Sequence, residues 1–286
     1  MDRVVARKTW RTLEPVHGMI YFAAEGREAY AKAGLRGNRM GYFASRAAAM
    51  GPVPADVVIA TFFNFEPSLV RASIPEAWTL ATPERVLAAR LDAVDRALRR
   101  AWGDDVIASP DLATAADLAR TAALAAAEHP EGRPLFAGHA ALAWPDEAHV
   151  ALWHAQAMLR EFRGDGHVAT LVAEGISGIE ALVLHEATGE IPSPVLRTSR
   201  AWPDDEWTAA VEGLAERGLV EHGSELRLTD AGRAHRRHVE DRTDALAVAA
   251  YAPLGDDACQ QLREITRPLS KAVIDAGLLT PDPSGW

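Results

Sequence analysis

The stretch DDEWTAAVEGLAERGLVEHGSELRLTDAGRAHRRHVEDRTDAL (204–246) decides how the chain is read. Trp207, Ala210, Val211 and Leu214 recur at helical spacing and give residues 204–217 one apolar face. Leu219 and Val220 open a short strand, His222-Gly223-Ser224 makes a tight turn, and Leu226 and Leu228 alternate on the return strand. Thr229-Asp230 is a capping pair for a further helix expected over 230–249. The helix before the hairpin carries five acidic side chains between residues 204 and 216 and no basic one.

Helix, hairpin and helix in this order are the closing parts of a winged helix-turn-helix, with the hairpin as the wing. Gly218-Leu219, Leu228-Thr229 and Gly232-Arg233 resemble the wing and following helix of MarR-type regulators. In a duplex-reading protein of this kind, the helix before the wing offers Arg, Lys, Asn, Gln or Ser to base edges. Asp204, Asp205 and Glu206 suit a helix N-terminus through the dipole, but they repel phosphate. The wing offers only Arg227. Arg233, Arg236, Arg237 and Arg242 are interleaved with Glu240, Asp241 and Asp244, the pattern of a solvated helix with i,i+4 pairs. The shape points to nucleic acid and the charge points away from it. The expectation is a winged helix reused for packing or for enclosing a ligand, with DNA binding disfavoured.

Composition agrees. The 286 residues carry a net charge of −10, which opposes phosphate backbones and anionic membranes, and 48% are hydrophobic, enough for a sizeable core. The single cysteine, Cys259, excludes an internal disulfide and a cysteine-based zinc site. MDRVVARKTWRTLEP at the N-terminus has no apolar stretch of the signal-peptide kind, and no run of about eighteen apolar residues suggests a membrane span. A cytoplasmic protein without a cofactor is expected.

Outside the hairpin, the pattern predicts helices throughout, so the fold class is all-α with a small β-hairpin wing. Helices are expected over about 15–33, 38–50, 55–63, 83–102 (capped by Thr82), 112–128 (capped by Asp111), 134–143, 146–162, 167–174, 177–188 and 256–277. A short one follows Glu66-Pro67 and is interrupted by Pro75. Ile191-Pro192-Ser193-Pro194 reads as a linker between a helical body (1–195) and a winged-helix-like domain with C-terminal helices (196–286).

HGMIYFAAEG (17–26), GYFASRAAAMGPVPADVV (41–58), ATFFNFEPSLV (60–70), LREFRGDGHVATLVAEGISGIEALVLH (159–185), AWPDDEWTAAVEGLAERGLV (201–220) and EDRTDALA (240–247) together resemble a family of helix-turn-helix proteins common in actinobacteria. The resemblance spans almost the whole chain, departing at Ala24 and at residues 48–51. It implies an architecture, a helical body joined to a winged helix, and no reaction.

Several residues are candidates for a ligand site. His17, Tyr21 and Glu25 fall at i, i+4 and i+8 of one expected helix, either a surface stripe, a satisfied buried histidine or a pocket wall. Tyr42 and Arg46 are i,i+4, so the guanidinium can lie near the ring as an anion anchor or pair with Glu25. Phe62, Phe63 and Phe65 with Asn64 form an aromatic knot, either core or an apolar wall with an orienting amide. His154 precedes RGDGH (163–167), read as a loop in which Asp165 caps the next helix, or in which Arg163 and His167 stand at a pocket mouth with His167 as proton carrier. A metal held by His154, His167 and His185 with Glu180 would need convergence that spacing does not provide, and no metal is expected.

Three functions compete. The favoured one is binding of an apolar or aromatic metabolite. The others are a MarR-like ligand-responsive regulator and an enzyme of specialised metabolism using His167 and Arg163. The long helices after the wing are expected either to support a homodimer, as in MarR-type proteins, or to clasp the N-terminal body.

Overall fold

The computed structural model describes residues 1–223 and 225–280; Ser224, the last residue of the expected wing turn, and the tail 281–286 lie outside it. The described residues form fifteen α-helices and one antiparallel hairpin, so the chain is all-α with a small wing.

Helix α1 (Arg3–Gly18) starts well before the expected helix at 15. Asp2 caps it by accepting the Val4 N–H, and Ala6, Thr9, Leu13, Val16 and His17 form its buried face. The helix expected over 15–33 is divided among three elements. After α1 comes a 3-10 turn (Met19–Tyr21), a break at Phe22-Ala23, and then α2 (Ala24–Lys32). A Cβ on Gly26 would sit 3.0 Å from the Ile20 carbonyl oxygen, so the 3-10 turn and α2 fold tightly against each other.

Helices α3 (Gly37–Ala47), α4 (Ala55–Phe62), α5 (Pro67–Arg71) and α6 (Glu76–Leu80) enclose a small core around Phe43, Phe62, Phe65 and Ile74. Helix α7 (Pro83–Ile107) breaks direction at Gly103 (φ 73°), where regular helix was expected to end. Helix α8 (Pro110–Ala127) is capped by Ser109, which accepts the Leu112 N–H at 3.2 Å. Asp111, the expected cap, lies one position inside the helix and complements its dipole instead.

The largest departure concerns α10 (Ala148–Ala173), which follows α9 (Pro134–Ala140). It runs unbroken through RGDGH, so residues 163–167 are not a loop. Two interior glycines cost helix propensity, about 1 kcal/mol each, but packing overrides it. A Cβ on Gly166 would already be in contact with Leu246, 3.5 Å away. Asp165 does not cap a helix at 167; it accepts the Phe136 N–H at 2.9 Å in the first turn of α9. Burial pushes its carboxyl up to about 7.

Helix α11 (Gly178–Glu186) opens with a Ser177/Glu180 capping box, and α12 (Ser193–Arg200) begins within the expected linker, taking up Ser193 and Pro194. Helix α13 (Asp204–Glu216) follows the turn Ala201-Trp202-Pro203, with Ala201 left-handed at φ 59°. Strands β1 (Val220–His222) and β2 (Leu226–Leu228) pair with Val220 opposite Leu228. Helices α11, α12 and α13 and the wing share one apolar core, with Leu182, Leu196, Trp207, Leu214, Val220, Leu228 and Val239 buried in it. This is a complete winged helix, and its first helix lies upstream of the stretch that announced it. Gly232 is required there, since a Cβ would meet the Leu219 carbonyl oxygen at 1.9 Å.

Helices α14 (Asp230–Tyr251) and α15 (Gly255–Asp275) turn back onto the body. Helix α15 packs on α1 and α8, and α14 packs on α1, α8 and α10. No single helix among the described residues is long and apolar enough to cross a membrane.

Candidate functional site

Helix α10 carries two polar centres. The first is closed. Arg46 on α3 reaches Glu161 at 3.2 and 3.3 Å, donates to the Tyr42 hydroxyl at 2.9 Å, and lies 4.3 Å over the Phe62 ring. Arg160 donates to Glu161 Oε2 at 2.8 Å. Burial alone would raise the Glu161 carboxyl, but Arg160 and Arg46 outweigh it and hold the group well below its ordinary range.

His17 bonds the Tyr21 hydroxyl at 2.8 Å and stacks on Trp153, and burial pushes its ring well below the usual histidine range. His139 is fixed as a neutral tautomer: Nδ1 donates to Leu135 O at 2.8 Å and Nε2 accepts from Arg90 at 3.2 Å. Burial, reinforced by Arg90, takes it down to about 3. The hollow beside Tyr21 and Tyr42 measures about 100 Å³, small beside the ~300–1,000 Å³ of typical ligand pockets.

The second centre is open. A cavity of about 490 Å³ lies between α1, α10, α11 and α14. Trp10, Leu171, Ala181, Leu184 and Val239 supply its apolar lining, and Glu14, Arg163, His167, His185 and His235 are among its polar residues. Arg163 pairs with Glu240 at 2.8 Å and Asp244 at 3.0 Å and lies 4.3 Å over the Trp10 ring. Thr243 spends its hydroxyl proton on Val239 O, so His167 Nδ1, 2.9 Å from that hydroxyl, donates; the neutral ring keeps Nε2 as a base. Burial lowers the His167 and His185 rings from the usual histidine value.

Glu14 is reachable by water over 33% of its side chain, yet its surroundings still push the carboxyl up to about 7, with burial the main cause and Arg160 opposing it. Six lining residues carry a buried polar atom without a hydrogen-bond partner among the described residues; Arg7 Nε is still ion-paired with Asp244, and the other five are Trp10 Nε1, Glu14 Oε2, Arg163 Nε, His185 Nε2 and His235 Nε2. Buried polar groups are nearly always satisfied, so five orphans around one cavity call for an explanation.

The sequence candidates therefore separate. His17, Tyr21, Tyr42, Arg46 and Phe62 meet in the closed centre. Arg163 and His167 meet in the cavity. Glu25 joins neither; the break before α2 turns it to Arg100 at 2.6 Å, so it neither continues the His17–Tyr21 face nor pairs with Arg46. Asn64 accepts from Arg200 and from the Trp202 indole, and with Phe63 it fastens the body to the helix-turn-helix turn. His154 packs edge-on against Trp144, while burial takes it down to about 4. Glu180 is spent on its capping box and Arg217. His167 and His185 share the cavity without His154, and the described residues hold no cluster of three or more metal-type ligands.

Sequence reasoning missed Trp10, Glu14, His235 and Arg236 as cavity residues. The signal for the first two was the buried-face spacing Ala6, Thr9, Leu13, Val16 in the segment weighed only as a leader peptide. Helix α13 presents Asp205, Glu206, Glu212 and Glu216 to solvent, and its Trp207 is buried.

Searches of curated proteins and of solved structures returned no match. A family profile does match, over residues 6–280, and it spans the helical body as well as the winged helix. The chain belongs to that family, the Helix-turn-helix family.

Proposed function

We propose that this protein binds a small molecule in the cavity between α1, α10, α11 and α14, and that its winged helix does not read DNA through α13. The observation that carries the reading is the set of five unsatisfied buried polar atoms on one cavity of ligand size. Trp10 offers an aromatic face and Arg163 and His167 offer polar anchors, which suits an aromatic metabolite with polar substituents. The acidic outer face of α13 supports the second half, since each carboxylate opposes the counterion release that duplex binding needs.

Tryptophan fluorescence titration with aromatic metabolites tests the first half. Saturable quenching should weaken at least about tenfold in Trp10→Ala and Arg163→Met. Quenching unchanged in both variants would remove the cavity from the account. A mobility-shift assay with duplex DNA at about 50 mM salt tests the second half, and no shift is expected.

A MarR-like ligand-responsive regulator is favoured by one observation: α1 and α10 of the body and α11 and α14 of the winged-helix side share the cavity wall, so occupancy would bear on their junction. A duplex shift abolished by a cavity ligand would establish that reading. An acid–base enzyme is favoured by Glu14, whose carboxyl near 7 shares the cavity with the His167 ring. Turnover of a bound ligand, lost in Glu14→Gln with affinity retained, would establish it.

A further inference from the structure

Helix α1 shows two polar faces that meet at one residue. Arg7, Trp10, Arg11 and Glu14, at i, i+3, i+4 and i+7, line the 490 Å³ cavity. Lys8, Arg11 and Thr12 line a neighbouring open hollow of about 230 Å³, completed by Arg263 and Arg267 of α15. Arg11 belongs to both linings and stands on the ridge between them.

The second hollow has four cations in its lining and no carboxylate. Among the described residues, Lys8, Arg11 and Arg267 have no ion-pair partner, and Arg263 donates only to the Thr9 hydroxyl. The chain as a whole carries −10, and another open arginine-rich hollow, lined by Arg7, Arg233, Arg236 and Arg237, includes Glu240 and Asp241 in its lining. On α14, Arg233 pairs with Asp230, while Arg3 and Arg7 of α1 pair with Asp241, and Arg163 pairs with Glu240. Four uncompensated cations packed together repel one another, and an anion relieves that repulsion. Guanidinium forks and a lysine point charge are the side chains that phosphate oxygens select.

We infer that the ligand is a small phosphate ester: its phosphoryl group lies among Lys8, Arg11, Arg263 and Arg267, and its organic body crosses the Arg11 ridge into the cavity against Trp10. This rests on the cavity reading above and adds the ligand's charge and its second anchor. Glu14 and Glu240 in the cavity suit an uncharged, hydrogen-bonding body there, so the anionic end belongs outside it.

The test uses the full chain and three probes, 1-naphthyl phosphate, 1-naphthol and inorganic phosphate, followed by tryptophan fluorescence and calorimetry. Naphthyl phosphate should bind at least about tenfold more tightly than naphthol, and its affinity should fall with added salt. In the Lys8→Gln/Arg267→Gln double variant, both positions being exposed and unpaired, that preference should shrink to within about threefold while naphthol binding is unchanged. Equal affinity for ester and alcohol in the natural chain, or a preference that survives the double variant, would overturn the phosphate inference and leave the cavity reading standing. Inorganic phosphate binding as tightly as the ester would uncouple the hollow from the cavity and overturn it too. Failure of both naphthyl probes to bind would take down the cavity reading along with it. A duplex that binds the natural chain and is lost in the double variant would give these cations to nucleic acid instead.

Discussion

Along α10, Glu161 and Arg163 stand two residues apart and meet opposite circumstances. Glu161 is buried between Arg46 and Arg160, each at bonding distance, and the hollow that Tyr21 and Tyr42 of this centre border measures only about 100 Å³. Arg163 is also ion-paired, yet its Nε is unsatisfied and it borders a cavity of about 490 Å³ with four other orphaned atoms. Both centres are ionic. The difference is that one matches its charges across the helices it joins, and the other has polar capacity left over. Matched charge sets how α3 and α10 meet, and leftover capacity marks where a ligand is expected.

The largest effect should come from breaking the matched centre. Glu161→Leu leaves Arg46 buried, and Arg160 half-buried, without their carboxylate, and urea unfolding should show a loss of about 3–5 kcal/mol. Arg163→Met should cost clearly less, because Arg7 still faces Asp244. Should Arg163→Met prove the more damaging of the two, the division into a structural and a ligand-binding centre would be untenable.

The pH dependence of stability separates the centres by sign. His139 belongs to the matched side, and its folded pKa of about 3 lies below the unfolded 6.5. Below pH 6.5 the unfolded chain takes up a proton that the folded chain refuses, so stability is lost as pH falls. At pH 5 this amounts to about 2 kcal/mol, and His139→Gln should flatten that part of the urea-midpoint profile. A profile equally steep in the variant would mean that the ring is not held neutral.

Glu14, on the cavity side, runs the other way. Its folded pKa of about 7 lies above the unfolded 4.5, so the folded state holds the extra proton, and stability falls as pH rises from 4.5 through 7. With a third of the side chain reachable by water, the effect is discounted to about 1 kcal/mol. Glu14→Gln should therefore be the more stable form at pH 8 and should lose this slope. Ligand binding that depends on the protonated carboxyl would sharpen the contrast further.

The smallest expected effect is a gain. Gly166→Ala adds a methyl at ordinary contact distance from Leu246 within a regular helix, and about 0.5–1 kcal/mol of stabilisation should follow. Destabilisation on thermal or urea melting would instead favour a special backbone conformation at RGDGH.

Much of the architecture was legible in the chain. The acidic helix, the wing and the helix after it were read within a residue or two, because apolar spacing, Thr229 and the Gly218 turn act over short range. The Tyr42–Arg46 contact was legible for the same reason, being one helical turn apart. RGDGH misled, since two glycines signal a loop when neighbours are all that is considered; contact with Leu246 and the demand of α9 for a cap at Asp165 outweigh that signal. Glu25 misled in the complementary way, because helical spacing carried across a chain break that packing imposes.

What the amino-acid order determined unaided is the helical class, the wing and the sign of the faces around it: a mainly helical chain, one hairpin, and an acidic helix before it. These follow from hydrogen bonding, side-chain spacing and charge among residues close in sequence. Which residues share a site was decided only when α1, α10, α11 and α14 packed together, bringing Glu14, Arg163, His185 and His235 to one cavity. That convergence spans more than two hundred positions, and it arises from burying apolar faces whose partners local pattern does not name.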